Sequence, residues 1–288
     1  MSAGSTGPLD SEGYRITDTL NDISPGPSRA AIPGPAEGVS LSRLSRLGRV
    51  LAFPTVTSTN DVALRHAREH ETLIVVADTQ SRGRGRFGRE WHSAEGGLWA
   101  SFLLFPELSP DRLGLITLAA GLAVARTLET SVGVQPELLW PNDVMIGGRK
   151  VAGILCEGRG SAVAVGIGIN VNQPEFLARL ADATSVLVCT GRRLDRLELL
   201  ANLAENFFPL VEQLRDDRIL MVVSEIKSRM PMLGRPVVVE TGWTGLGALS
   251  LRHVQGTALD LTTGGELRLQ MNDGATRAFS AGKVVRAR

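Results

Sequence analysis

Between Gln80 and Trp91 the chain reads Gln-Ser-Arg-Gly-Arg-Gly-Arg-Phe-Gly-Arg-Glu-Trp, which puts Arg82, Arg84, Arg86 and Arg89 within eight residues. A guanidinium group is a planar fork of donors that matches carboxylate and phosphate oxygens. Glycines at 83, 85 and 88 give such a loop the freedom to close over a ligand. These glycines also satisfy the dinucleotide pattern G-x-G-x-x-G behind a strand-like run. That pattern needs its last glycine to open a helix packed on the sheet, and Arg89-Glu90-Trp91-His92-Ser93 carries no apolar helical stripe. A P-loop is excluded because no Gly-Lys-Ser/Thr closes the run. Arg-Gly tails that bind nucleic acid are solvated, low-complexity segments, whereas this stretch lies between two apolar runs. Taken alone, it reads equally well as a cationic ligand clamp and as a surface hairpin of solvated arginines.

Four more segments break that tie. Ser58-Thr59-Asn60 precedes the loop, and Trp140-Pro141-Asn142-Asp143-Val144 follows it. Lys150 then leads directly into Val151-Ala152-Gly153-Ile154-Leu155-Cys156-Glu157, and Gly166-Ile167-Gly168-Ile169-Asn170-Val171-Asn172 comes last. This ordered set, over residues 57–172, closely resembles the catalytic domain of bacterial biotin–protein ligases. The resemblance covers roughly residues 48–288, and the C-terminal part looks like the SH3-like domain of that family.

The resemblance implies a two-step reaction. Biotin and ATP give biotinoyl-AMP and pyrophosphate, and the biotinoyl group then moves to a lysine of a biotin carboxyl carrier protein or domain. By resemblance, Ser58, Thr59, Asn60 and Gln80 face the ureido ring of biotin, with Gly153 on the same side. Arg84, Gly85 and Arg86 belong to the loop that orders over biotin and the adenylate. Lys150 sits beside the biotin carboxylate and the α-phosphate, so Lys150, Arg84 and Arg86 are the expected catalytic groups. Trp91 offers an aromatic face to adenine, and Asn142 and Asn170 lie near the ATP phosphates with Mg²⁺. The chemistry suits these residue types. Two anions must meet, so cations have to neutralise both partners and the developing charge. Positioning supplies the rest, without a side-chain nucleophile. A lipoate–protein ligase is the nearest enzymatic alternative, and a biotin-responsive transcriptional regulator is the alternative of another class.

The elements that must hold these groups are legible in outline. Ser58 to Asp61 ahead of Val62, Ala63, Leu64 and Ala67 predicts a capped helix of about three turns. Leu73–Ala77 and Trp99–Phe105 are apolar runs of strand type. Ser109-Pro110-Asp111 predicts the start of a long helix with Leu113, Ile116, Ala120, Ala123, Val124, Thr127 and Leu128 on its core stripe. Glu137–Trp140 and Val151–Glu157 read as strands flanking a turn at Gly147-Gly148. Ala162–Ile169 is a further strand. Asp195 with Glu198 caps a second long helix carrying Leu199, Leu203, Phe207, Leu210 and Leu214. Beyond Leu233 the period shifts toward two, with strands at 236–240, 253–261, 266–269 and 277–285. The expected fold is α+β: a mixed-sheet, class II synthetase-like biotin/lipoate ligase domain over residues 41–232, then an SH3-like β-module over 233–288.

Composition sets the outer limits. The 288 residues suit about two domains at roughly 150 residues each. With 31 Lys+Arg against 30 Asp+Glu, the net charge of +1 argues against a broad nucleic-acid face. Residues 1–40 hold six Gly, five Pro and six Ser, a composition that predicts a disordered tail. Cys156 and Cys189 are too few for a disulfide framework. The start lacks the basic and apolar regions of a secretory signal. No apolar run nears the ~18 residues of a membrane span. Cytoplasmic location, monomer or weak homodimer, and no membrane partner are the expectations. His66 and His70 are read as surface or packing residues, and Cys156 as an apolar filler. Leu139 stands where many members of the family carry a basic residue. No winged-helix pair is legible before residue 48, and Leu41, Leu44 and Leu47 read as a packed lead-in helix.

Overall fold

A computed structural model of the chain describes residues 37–109, 112–245 and 248–287. Its first sheet contains seven strands: β1 (Arg49–Val56), β2 (Leu73–Gln80), β3 (Leu98–Leu104), β4 (Glu137–Leu139), β5 (Asp143–Ile146), β6 (Arg149–Arg159) and β7 (Ala162–Ile169). Their order is β1-β2-β3-β7-β6-β5-β4. Only β1 and β2 run parallel, so the sheet is mixed, as expected. A parallel pair cannot be closed by a tight turn, and α2 (Thr59–Arg65) lies in the crossover between them.

Alternation along the strands divides the apolar residues between two faces. Ile74 and Val76 of β2 join the main core with Phe102 and Leu104. Leu73 and Val75 join a smaller core with Val62 and Ala63 of α2. The main core is covered by α3 (Leu113–Val132) and α5 (Arg196–Gln213). β3 is buried along its whole length, which is why its sequence is nearly all apolar.

A second, antiparallel sheet of five strands follows α6 (Ile219–Ser228): β8 (Pro236–Gly245), β9 (Ala248–Leu261), β10 (Leu267–Gln270), β11 (Thr276–Phe279) and β12 (Lys283–Ala287), in the order β11-β10-β9-β8-β12. Its inner residues Val237, Val239, Leu267 and Val284 belong to the same main core as α3 and α5. The Trp140 indole donates to Gly265 O at 3.0 Å, which fastens the β4–β5 turn to the β9–β10 turn.

Several sequence expectations need correction. The helix after Ser58 has seven residues rather than three turns, and Ser58 makes no side-chain cap bond. Gly147-Gly148 joins β5 to β6, so an unforeseen strand, Asp143–Ile146, lies between the two expected ones. Pro110 and Asp111 lie outside the described residues; α3 begins at Leu113, which is exposed instead of buried in the stripe. That helix, at mean hydropathy 1.3, is long and apolar enough to cross a membrane. It serves here as a core helix, with 67% of that apolar window buried inside the fold. The strand expected over 277–285 is two strands, β11 and β12. α1 (Glu37–Ser45) begins inside the stretch read as a tail, and the rest of that stretch lies outside the described residues. The packed lead-in helix is present: Leu44 is fully buried, and Arg43 pairs with Glu205 of α5. Asp195 caps α5 as expected, accepting from Leu197 N and Glu198 N.

Candidate functional site

One cavity of about 710 Å³ opens on the α2 side of the first sheet. It is lined by Ser58, Thr59, Asn60, Gln80, Arg84, Gly85 and Arg86, and by Trp91, Asn142, Lys150, Gly153 and Asn170. The residues expected to bind biotin or the nucleotide therefore line one cavity, across a chain separation of more than 100 residues.

The floor of the cavity is made by glycine. Gly153 and Gly168 are ladder partners on β6 and β7, and Gly166 lies two residues back on the same face. A Cβ at Gly166 would sit 2.6 Å from Asn60 Oδ1, and one at Gly168 would sit 2.5 Å from Trp91 Nε1. Larger residues would fill the space that Asn60 and the indole occupy.

At one end lies a neutral hydrogen-bonded cluster. Asn60 donates to Leu155 O at 3.2 Å and to Glu157 Oε2 at 2.7 Å. Thr59 N and its hydroxyl both donate to Gln80 Oε1, at 2.8 and 3.1 Å. Gln80 in turn donates to Ser93 Oγ at 2.8 Å. Ser101 Oγ joins the cluster, 2.7 Å from Thr59 Oγ1 and 2.6 Å from Asn60 Oδ1. Ser101 was missed in the sequence, although a lone hydroxyl inside the apolar run Trp99–Phe105 was its signal. Ser58, Thr59, Asn60 and Ser101 are all buried, and these bonds hold the rotamers of Thr59, Asn60 and Ser101 before any ligand arrives.

The other end is cationic. The loop after β2 runs as a narrow hairpin, with bridges Gln80–Ser93 and Arg84–Glu90 and a bond from Trp91 N to Gly83 O at 2.9 Å. Gly83 is required there, since a Cβ would come within 2.4 Å of Trp91 O. No helix follows Gly88, which disposes of the dinucleotide motif structurally as well. The tip makes one 3₁₀ turn, Arg86–Gly88, with Phe87 in the left-handed region at φ 59°.

The arginines of this loop have different surroundings. Arg84 donates to both oxygens of Asp61, at 2.9 and 2.6 Å, and to Glu157 at 3.2 Å. Its guanidinium holds the Asp61 carboxyl below the usual carboxylate range. Arg89 pairs with Glu240 of β8. Arg86 has no carboxylate within ion-pair distance among the described residues; burial lowers its pKa, with Asp143 acting the other way. Its nearest aromatic neighbour is Phe87, at 5.3 Å.

Lys150 rests on Asp143 at 2.5 Å and lies 4.9 Å from the centroid of the Trp91 ring. Burial pushes its ammonium below the ordinary lysine range, and the Asp143 charge opposes that. Asp143 is itself buried, a role that the sequence reading did not assign. The Lys150 backbone also donates to Asp182 O and accepts from Thr184 N, which draws the 182–184 segment alongside. Asn142 and Asn170 give their amide NH₂ groups to Ile154 O and Thr184 O. Their amide oxygens make no hydrogen bond among the described residues. The Trp91 indole nitrogen is buried without a partner among them. Outside the cavity, His66 pairs with Glu69, His70 packs on Phe105, and burial pushes the Cys156 thiol up to about 11.

Comparison with known proteins shows the family. The model of the biotin/lipoate A/B protein ligase family matches residues 51–173. The chain is 36% identical over 221 residues to the bifunctional ligase/repressor BirA of Bacillus subtilis, covering 73% of this chain and 65% of that one. It is 36% identical over 197 residues to the biotin–[acetyl-CoA-carboxylase] ligase of Paracoccus denitrificans, covering 64% of this chain and 82% of that one. Among solved structures, the Aquifex aeolicus biotin protein ligase in complex with biotin and ATP superposes with a TM-score of 0.71 at 31% identity, over 83% of this chain and 99% of that one. The chain belongs to the biotin/lipoate A/B protein ligase family, and within it groups with the biotin–protein ligases.

Proposed function

We propose that this protein is a biotin–protein ligase: it activates biotin with ATP to biotinoyl-5′-AMP and pyrophosphate, then transfers the biotinoyl group to a lysine of a biotin carboxyl carrier domain. The observation that carries this is the division of one cavity into a neutral hydrogen-bonding end and a cationic end. A ureido ring is uncharged but rich in donors and acceptors, which suits Ser58, Thr59, Asn60 and Gln80. A carboxylate and a polyphosphate suit Arg86 and Lys150.

In this reading Lys150 lies between biotin carboxylate and α-phosphate, with Asp143 fixing its position. A carboxylate oxygen of biotin forms a bond to the α-phosphorus as the bond to the α–β bridging oxygen breaks, and pyrophosphate departs with the charge. No proton moves in this step, so held cations and proximity are the catalytic devices. Arg86, without a carboxylate partner among the described residues, is free to meet the anions. Arg84 is saturated by Asp61 and Glu157, so its part is to hold the loop and, through Glu157, to orient Asn60. The Trp91 ring forms the aromatic wall on the adenylate side. The hairpin shields the acyl-adenylate from water.

Mg²⁺ fits the nucleotide end. The open amide oxygens of Asn142 and Asn170, together with Asp143, form an all-oxygen set of the kind that supports phosphate-borne Mg²⁺. Bound there, the ion would neutralise phosphate charge. The region 233–288, whose described strands form the second, purely antiparallel sheet, is read as the SH3-like module of this family.

The test is exchange of labelled pyrophosphate into ATP by the purified chain. Exchange that depends on biotin is expected. Exchange with lipoate in its place, and none with biotin, would overturn the reading.

A further inference from the structure

Besides Arg86, the cations Arg89 and Lys283 join Lys150 in lining the cavity. Arg89 comes from the glycine–arginine hairpin and Lys283 from β12 of the second sheet. Lys150 has Asp143, and Arg89 has Glu240. Lys283 has no carboxylate within ion-pair distance among the described residues, although it stands directly across from Glu240 in the β8–β12 ladder. Directly opposed residues on adjacent strands share one face of a sheet. Glu240 is buried, at 8% exposure, and Arg89 holds its carboxylate, so Lys283 is left facing the cavity without a counter-ion.

The backbone around Lys283 is tightly constrained. A Cβ at Gly282 would meet Val239 Cγ1 at 2.9 Å, Glu240 O at 3.0 Å and Trp140 Cζ3 at 3.3 Å. Val284 N donates to Trp140 O at 3.4 Å. The β12 strand is thus fastened to Trp140, two residues from Asn142, and Lys283 stays at a fixed place on the rim. The positive charges of Lys283 and Arg89 both act on the Lys150 ammonium, which places the three groups close together.

Three cations drawn together from separate elements, with two carboxylates between them, leave an excess of positive charge that only an anion can balance. We propose that Lys283 binds the β- and γ-phosphates of ATP and stabilises the pyrophosphate that leaves, with Arg89, held by Glu240, beside it. The second sheet then completes the nucleotide end of the active site. The proposal rests on the ligase reading of the cavity and extends it to a residue 133 positions beyond Lys150. As the α–β bridging bond breaks, its electron pair passes to the departing pyrophosphate, and a cation placed there meets charge that grows during the reaction.

The test uses the full chain in the biotin-dependent pyrophosphate exchange assay. Lys283→Ala is expected to raise the KM for ATP and for pyrophosphate by about tenfold, the loss of one charge-assisted hydrogen bond, while the KM for biotin stays within about twofold. Lys283→Arg is expected to restore most of the affinity. Absence of exchange in the wild-type chain would count against the ligase reading itself. Wild-type exchange combined with unchanged ATP and pyrophosphate constants in Lys283→Ala would overturn the role of Lys283 alone. Equal rises in the biotin and ATP constants, with a lowered melting temperature, would mark Lys283 as structural and also overturn it.

Discussion

The two ends of the cavity are built on opposite plans. Around Thr59, Asn60, Gln80 and Ser101 the groups are neutral, buried or half-buried, and bonded to one another, on elements joined in one sheet and its crossover helix. Around Lys150 the groups are charged and come from β6, a hairpin and the second sheet; Lys150 and Arg89 rest on carboxylates of their own, while Arg86 and Lys283 have none among the described residues. A neutral ligand can be recognised by a network complete beforehand, because desolvating polar groups costs little when they are already satisfied. Cations gathered for a polyphosphate would repel one another without partners, so Asp143 and Glu240 hold them until the anion arrives. The floor is preorganised, and the rim is balanced.

Breaking the rim at its centre should have the largest effect. Lys150→Ala is expected to lower pyrophosphate exchange by about 10²–10³-fold, the cost of losing one preorganised group at developing charge. Circular dichroism should remain that of the wild type. A change of fold in that variant would shift Lys150 from chemistry to structure.

Ser101→Ala attacks the floor instead. It removes the hydroxyl that ties Thr59 to Asn60, and a rise of about tenfold in the KM for biotin is expected, with ATP kinetics unaffected. Gly166→Ala should act in the same direction, since its new methyl group would press on the Asn60 amide. An equal effect on ATP would remove the distinction between the two ends.

Protons separate the ends as well. The ordinary lysine value is lowered at Lys150 by burial, and Asp143 works against that. The cation is lost as pH rises through the lowered value, so exchange should fall on the alkaline side before an exposed lysine would titrate. Asp143→Asn removes the group that favours the proton, and the fall should move to lower pH. A shift to higher pH in that variant would contradict the assignment. Asn60 and Ser101 carry no titrating group, so the penalty of Ser101→Ala on the KM for biotin should stay constant over the same range.

The smallest expected effect concerns the hairpin. Glu240→Gln leaves Arg89 without its counter-ion, and tryptic cleavage after Arg82, Arg84, Arg86 or Arg89 should speed up by a few-fold at most, because Arg84 still clamps the loop to Asp61 and Glu157. Electrophoresis after limited digestion reads this directly. Faster cleavage in Arg84→Ala than in Glu240→Gln would rank the two tethers.

How much of this was readable beforehand follows the same division. Strand and helix positions came through wherever apolar runs were long, as at β2, β3, β7 and α5. β5 did not, because Asp143–Ile146 is four residues long and sits inside a motif that reads as a turn. The site residues named from the motifs, Ser58 to Asn170, line one cavity. What escaped was pairing. Arg84 reads in sequence like its neighbour Arg86, yet Asp61 and Glu157 saturate one while the other has no carboxylate among the described residues. Glu240 and Lys283 lie in a region whose only sequence signal was an alternation of period two. Their approach to Arg89 and Lys150 depends on the docking of the second sheet against Trp140, which no local pattern encodes.

The most direct test of the central claim is mass spectrometry of the products after the purified chain is mixed with biotin and Mg-ATP. The expected result is biotinoyl-AMP bound to the protein, discharged when a carrier domain is added and recovered as a biotinylated lysine. ATP hydrolysis without an acyl-adenylate, or an adenylate formed from lipoate and not from biotin, would contradict it.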